Sequence, residues 1–255
     1  MNVVPKKSLG QHFLVDENIL GVIGRLADLA PEDVVLEIGP GLGILTRYLA
    51  DRVQLVHAVE LDRSLEGALR DALGERQNVR LAFGDALALD LAALAPSKLV
   101  ANLPYNVATP VVVESLEGIP TLERWCVMVQ REVADRFFAI PRTKAYGAVS
   151  VLVQLATRKV GFHAVPPTVF RPRPRVESAL VAFVRADGPP LARVRPVVDA
   201  AFAHRRKTLA NSVALSGLAA REEAEAALAE IGKPANARAE ELEPPEFVAL
   251  AAALR

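Results

Sequence analysis

Through its first two-thirds the chain alternates short apolar, β-rich runs with amphipathic segments, and that alternation leaves few folds open. Val34-Val35-Leu36-Glu37-Ile38 reads as a strand ended by glycine. Gln54 to Glu60, Val79 to Phe83, Lys98 to Ala101 and Cys126 to Val129 read as four more. Between them lie helical stretches: after Gly43, the apolar positions Leu45, Tyr48 and Leu49 fall at i, i+3 and i+4, on one helical face. Strand and helix in repetition imply an open, mostly parallel sheet covered on both sides, a doubly wound α/β fold.

The pattern changes near Pro166. A proline- and arginine-rich stretch runs to Arg175, and Ser178 to Val184 reads as a last strand. Asp187-Gly188-Pro189-Pro190 is a breaker cluster and the expected domain boundary. Beyond it Val194, Val198, Ala201 and Phe202 share one helical face. Arg221 to Ile231 reads as a helix stopped at Gly232-Lys233-Pro234, and a final helix begins at Pro245. The expected organisation is a Rossmann-like domain over 1–186 and a smaller all-helical domain over 187–255. With 51% hydrophobic residues in 255, the chain can bury a sizeable core.

Charge and cysteine usage narrow the function classes. Lys plus Arg and Asp plus Glu number 30 each, so the net charge gives no global case for nucleic acid, and any RNA surface must come from local clustering. The single cysteine, Cys126, sits in an apolar run and reads as a small hydrophobe in a strand. It can neither staple the fold nor build a zinc site, and metal ligation has no support. No apolar stretch has signal-peptide or membrane-spanning character, so the expectation is a cytoplasmic protein, monomeric by default.

Glu37-Ile38-Gly39-Pro40-Gly41-Leu42-Gly43 joins the first strand to the first helix of the sheet. Glycines there allow a tight turn and close approach to a ligand. Glu60 ends the second strand, where a carboxylate can accept from both hydroxyls of a ribose. Asp85 follows the third strand and is placed to accept from an amino group such as that of adenine. In a doubly wound sheet these strand ends share one rim, where ligands bind. Together they point to an adenosine-containing cofactor, either a nicotinamide dinucleotide or S-adenosylmethionine. The dinucleotide fingerprint wants glycine three places after its second, whereas Ile44 follows Gly39-x-Gly41 and Thr46 breaks the spacing counted from Gly41. S-adenosylmethionine fits better.

The fourth strand ends in Asn102-Leu103-Pro104-Tyr105-Asn106. The lone pair of an exocyclic amine on adenine is delocalised into the ring. An amide oxygen and a backbone carbonyl, rigidly held, help by accepting hydrogen bonds from the amine's two protons. Asn102 and the Leu103 carbonyl are suited to orient N6, Pro104 stiffens the turn, and Tyr105 offers a ring to stack on an extruded base.

With these residues in place, the chain resembles the ribosomal RNA adenine N6,N6-dimethyltransferases of the small-subunit, kasugamycin-resistance type, which have a class I methyltransferase fold. The resemblance spans nearly the whole chain. Lys7-Ser8-Leu9-Gly10-Gln11-His12-Phe13-Leu14 is similar to the family's N-terminal motif. Glu37 to Gly43, Val59 to Asp62, Gly84 to Ala86 and Asn102 to Asn106 are similar to its cofactor and catalytic motifs. Lys144 to Gly147, Val165 to Ser178 and His204-Arg205-Arg206-Lys207-Thr208-Leu209 are similar to later blocks.

The resemblance implies that His12 and Leu14 line the cofactor pocket, that Gly39 packs under the methionine moiety, that Glu60 takes the ribose and Asp85 the adenine amine. It implies that Asn102 touches both cofactor and target, and that Phe170 stacks on the target adenine opposite Tyr105. It also implies the substrate: N6 of two adjacent adenosines near the 3′ end of 16S ribosomal RNA, with the small ribosomal subunit as partner.

Arg171, Arg173 and Arg175 alternate with prolines beside Phe170, and Arg205, Arg206 and Lys207 cluster after the helix face ending at Phe202. Both groups are candidates for phosphate contacts. Three rivals remain. The macrolide-resistance type modifies large-subunit RNA and typically carries isoleucine where Leu103 stands. A ribosome-assembly factor with secondary or absent methylation is another, and a nicotinamide dehydrogenase is a distant third.

Overall fold

The structure is a computed structural model, and it describes residues 5–6 and 9–254. Lys7 and Ser8 of the N-terminal motif lie outside the described residues. In chain order the elements are β1 (Phe13–Leu14), α1 (Asn18–Ala27), β2 (Val34–Ile38), α2 (Ile44–Ala50), β3 (Leu55–Glu60), α3 (Glu66–Leu73), β4 (Val79–Phe83), β5 (Lys98–Asn102), α4 (Ala108–Gly118), β6 (Arg124–Gln130), α5 (Arg131–Phe137), α6 (Ala148–Ala156), β7 (Thr157–Val165), β8 (Phe170–Arg171), β9 (Ser178–Arg185), α7 (Leu191–Phe202), α8 (Leu209–Leu215), α9 (Arg221–Glu230) and α10 (Pro244–Ala253).

Seven strands form one sheet in the order β4-β3-β2-β5-β6-β9-β7. β4 to β6 run parallel, and β9 is antiparallel to β6 with Trp125 opposite Phe183 and Gln130 opposite Ser178. The inner strands are mostly apolar between their ends, Glu37 of β2 excepted, because helices cover both faces. β2 pairs with β3 on one side and β5 on the other. The chain order reverses there, and a crevice opens at the carboxyl ends of β2 and β5. α1 closes one face of the core by burying Ile19, Leu20, Ile23 and Ala27 along one stripe. A separate two-stranded ladder pairs β1 with β8 antiparallel, Phe13 opposite Arg171 and Leu14 opposite Phe170.

The chain divides into two compact units. One comprises 1–134 and 159–185, and the other 135–158 and 186–255. The second therefore includes a segment, 135–158, that the sequence reading assigned to the first domain. Its α6 is apolar on nearly every side, burying Val151, Leu152, Val153 and Leu155, and it packs against α7 and α10. Tyr146 is fully buried within the same unit and donates its hydroxyl to the Leu242 carbonyl at 2.8 Å. The Lys144–Gly147 motif is thus part of this unit's own packing. The chain then returns to the sheet through β7, so no boundary read along the sequence could place both ends of the excursion.

Candidate active site

Four loops at the carboxyl ends of β2, β3, β4 and β5 line one cleft, joined by the segment that precedes and includes β1. Gly39 and Gly41 shape its floor. Both have positive φ, 75° and 60°, and a side chain at either would meet a neighbour: a Cβ on Gly39 would lie 3.2 Å from the Pro104 ring, and one on Gly41 3.0 Å from Phe13. Only glycine lets the chain turn there and pass so close to the β5 loop and β1.

The acids of this rim differ in character. Glu60 is buried, and its carboxylate accepts from the Gly41 amide at 3.1 Å and the Asp62 amide at 2.9 Å, so it braces the glycine turn while facing the cleft. Burial pushes its carboxyl up, partly offset by those two amides. Asp62 accepts from Lys6 Nζ at 2.6 Å, Gln11 Nε2 at 2.9 Å, Ser64 N at 3.0 Å and Ser64 Oγ at 2.6 Å. Burial acts to raise it, but these donors outweigh burial and hold its carboxyl well below the usual carboxylate range. Asp85 is exposed on the cleft wall, and its Oδ1 accepts from the Leu87 amide at 3.0 Å.

Glu37 received no role in the sequence reading. It is 1% exposed and lines the cleft, and its Oε2 finds no hydrogen-bond partner. Burial, eased by the nearby Thr46 hydroxyl and reinforced by the Glu60 charge, pushes its carboxyl up to about 8. Thr46 Oγ1 also lacks a partner, so the hydroxyl acts on the carboxyl as a nearby dipole and not through an aligned bond. An acid alone in a buried strand was the available signal. The cleft thus offers a buried carboxyl with one unpartnered oxygen and a side-chain-free glycine floor, which suits a ligand carrying positive charge. S-adenosylmethionine is such a ligand.

The β5 loop supplies the rest. Asn102 Nδ2 donates to the His12 carbonyl at 3.2 Å, which commits the amide nitrogen and leaves Oδ1 as the acceptor. Leu103 is held by its amide, bonded to the Met128 carbonyl at 3.0 Å, with its side chain buried. Tyr105 is half-buried. Its ring centroid lies 5.5 Å from that of His12, and its hydroxyl is 2.5 Å from Ser178 Oγ. Burial pushes the phenol up. His12 Nδ1 is 2.7 Å from the Pro172 carbonyl oxygen. Thus His12, Leu14, Gly39, Glu60, Asp85, Asn102, Leu103 and Tyr105 all border one cleft.

Phe170 lies apart from these residues. It is 2% exposed and packs in the main core cluster with Leu14, Val169 and Leu180, and it does not line the cleft. Pairing of β8 with β1 sets it opposite Leu14, and its ring packs into the core cluster beside the cleft. Arg171, Arg173 and Arg175 are exposed on the segment that follows. In the second unit Arg206 and Lys207 are exposed. Arg205 is exposed as well, and its Nη2 donates to the Lys144 carbonyl at 3.2 Å and the Tyr146 carbonyl at 3.1 Å, satisfying loop carbonyls that have no helical partner. Among the described residues no cluster of His, Cys, Asp or Glu could hold a metal ion, and no helix is long and apolar enough to cross a membrane.

Comparison with known proteins is consistent along the whole chain. Residues 4–252 match the family described as Ribosomal RNA adenine dimethylase. A Ribosomal RNA small subunit methyltransferase A from Rubrobacter xylanophilus is 52% identical over 250 residues, covering 96% of this chain and 94% of the relative. The protein of the same name from Kineococcus radiotolerans is 44% identical, covering 99% and 87%. Among solved structures, a dimethyladenosine transferase from Plasmodium falciparum superposes with a TM-score of 0.78 at 22% identity, covering 94% of this chain and 96% of that one, which speaks to the fold. The 23S rRNA methyltransferase ErmE gives 0.66 at 30% identity, covering 95% and 99%.

Proposed function

The chain belongs to the ribosomal RNA adenine dimethylase family, and we propose that it adds two methyl groups to N6 of each of two adjacent adenosines near the 3′ end of 16S ribosomal RNA, as a step of small-subunit biogenesis. It is a ribosomal RNA adenine dimethyltransferase with a class I methyltransferase fold. The observation that carries the site reading is the placement of Asn102, Leu103 and Tyr105 on the same cleft as Glu60 and Asp85. S-adenosylmethionine, when bound, supplies an electrophilic methyl group.

The chain's own residues do the rest. Glu60 accepts from the ribose hydroxyls and Asp85 from the adenine amine of the cofactor. Gly39 lets its methionine part approach the backbone, and His12 and Leu14 line the pocket. Asn102 Oδ1 and the Leu103 carbonyl accept hydrogen bonds from the N–H groups of the target amine, which fixes the direction of its lone pair and lowers the barrier by orientation and charge. Tyr105 stacks on the extruded base. Arg171, Arg173, Arg206 and Lys207 contact phosphates.

Large-subunit specificity is the main alternative. ErmE is a relative, but at 30% identity, against 52% and 44% for the small-subunit enzymes. Leu103 stands where the large-subunit type typically carries isoleucine. The deciding assay incubates the protein with labelled S-adenosylmethionine and, separately, immature small subunits, large subunits and naked RNA, and maps the label by mass spectrometry. Dimethyladenosine in small-subunit RNA is expected. Label confined to large-subunit RNA overturns the substrate assignment, and binding without transfer points to an assembly factor.

A further inference from the structure

Tyr105 does not stand free at the cleft. Its hydroxyl is 2.5 Å from Ser178 Oγ. Ser178 is 1% exposed and is the first residue of β9, paired with Gln130 at the end of the β6–β9 ladder, so its backbone is fixed by the sheet. The other end of the same segment, Pro172, offers its carbonyl to His12 Nδ1 at 2.7 Å. His12 in turn lies beside the Tyr105 ring, the two planes 31° apart. Residues 172–178 are therefore tied to the two rings of the cleft wall at both ends. Between the ties Arg173 and Arg175 are exposed, with Arg171 just before them.

We propose that Ser178 is a positioning residue: its hydroxyl pins the far end of the Tyr105 ring and thereby joins the arginine-bearing segment to the surface on which the target base stacks. The inference rests on the stacking reading of Tyr105. It has a chemical corollary. A phenol hydroxyl engaged with a buried serine is committed to anchoring, and Tyr105 acts through its ring face and takes no proton from the amine. A tyrosine side chain swings about its Cα–Cβ bond, and a hydrogen bond at the far end of the ring stops that swing; the hydroxyl lies on the axis of the ring's own rotation, so the plane is limited by the neighbouring His12 ring. RNA phosphates gathered by the arginines then bring the base to a wall already set, so the bound base needs less reorientation before reaction.

The test is a cycle of Ser178→Ala, Tyr105→Phe and the double variant, with Tyr105→Ala beside them. Each is assayed on small-subunit RNA carrying 2-aminopurine at a target adenosine for fluorescence, and on unmodified RNA for kinetics. Loss of one neutral hydrogen bond is expected to lower kcat about three- to tenfold in each single variant. The double variant should be no worse than either. Affinity for S-adenosylmethionine and KM for RNA should hold, while the 2-aminopurine signal of the stacked state weakens. Tyr105→Phe removes the same bond without touching the buried side, so a folding defect in Ser178→Ala cannot mimic the result. Losses that multiply in the double variant overturn the inference, because Ser178 then acts through something other than Tyr105. If Tyr105→Ala is impaired while Ser178→Ala and Tyr105→Phe keep full kcat and fluorescence, the tether falls and stacking stands. An active Tyr105→Ala removes both.

Discussion

Glu37 makes the folded protein sensitive to pH in a way that can be worked out in advance. Its carboxyl rises from an ordinary value of 4.5 to about 8, chiefly through burial. Below pH 4.5 the group is protonated in both folded and unfolded chains and costs nothing. Between 4.5 and 8 the unfolded chain ionises while the folded one keeps its proton, so folding stability falls by about 1.4 kcal/mol per pH unit. Across the window the loss is on the order of 5 kcal/mol, a large share of the stability of a typical domain. Glu37→Gln keeps the shape and removes the titration. Urea unfolding of the cofactor-free protein at pH 5, 6, 7 and 8 reads the difference: the Gln variant gains on the parent by about 1.4 kcal/mol with each unit. Parallel curves would falsify the account, since Glu37 would then titrate alike in both states. The same carboxyl gives a binding test. A cationic ligand favours the ionised form, so affinity for S-adenosylmethionine should rise by up to about tenfold from pH 6 to 7 in the parent and stay level in Glu37→Gln.

Three further outcomes follow from the packing. Phe170→Ala should lower stability by about 3–5 kcal/mol, because the ring is part of the core, and Phe170→Leu should recover most of it; an unchanged urea midpoint in the Ala variant would place the ring outside the core. Asp62→Asn should loosen the segment held by Lys6 and Gln11, seen as faster amide hydrogen exchange over 11–14, at a cost of about 1–3 kcal/mol. Because the Asp62 carboxyl is held low, its contribution is present above pH 3.8 and lost only as pH falls further, so the effect should be flat from pH 5 to 8; an effect that varies over that range refutes it. Arg206→Ala with Lys207→Ala should flatten the salt dependence of RNA binding by a slope of about one to two, whereas Arg205→Ala should mainly destabilise the loop it braces; an unchanged slope in the double variant counts against the phosphate contacts.

The strands and the glycine turn were legible because burial on both faces leaves a composition that little else produces. β2, β3 and β5 could be read within a residue or so, and their carboxyl ends then had to share a rim. What escaped depended on partners distant in sequence. The excursion of 135–158 into the second unit is set by what α6 packs against, and an apolar helix reads the same whichever unit it joins. Arg205 looks like its neighbours in a basic run, and only the carbonyls of Lys144 and Tyr146 distinguish it.

Phe170 shows most plainly where sequence reasoning stops. A ring between prolines is stiffly presented in either direction, since the prolines restrict the backbone and say nothing of the face on which the side chain falls. That face is decided by one antiparallel pair, Leu14 with Phe170, which turns the ring to the core. Eight residues on, Ser178 starts β9 in register with Gln130 and reaches Tyr105 instead. Within one short segment the aromatic residue packs in the core and the serine touches a ring of the cleft wall. Side-chain chemistry alone ranks them the other way, and strand register reverses the order.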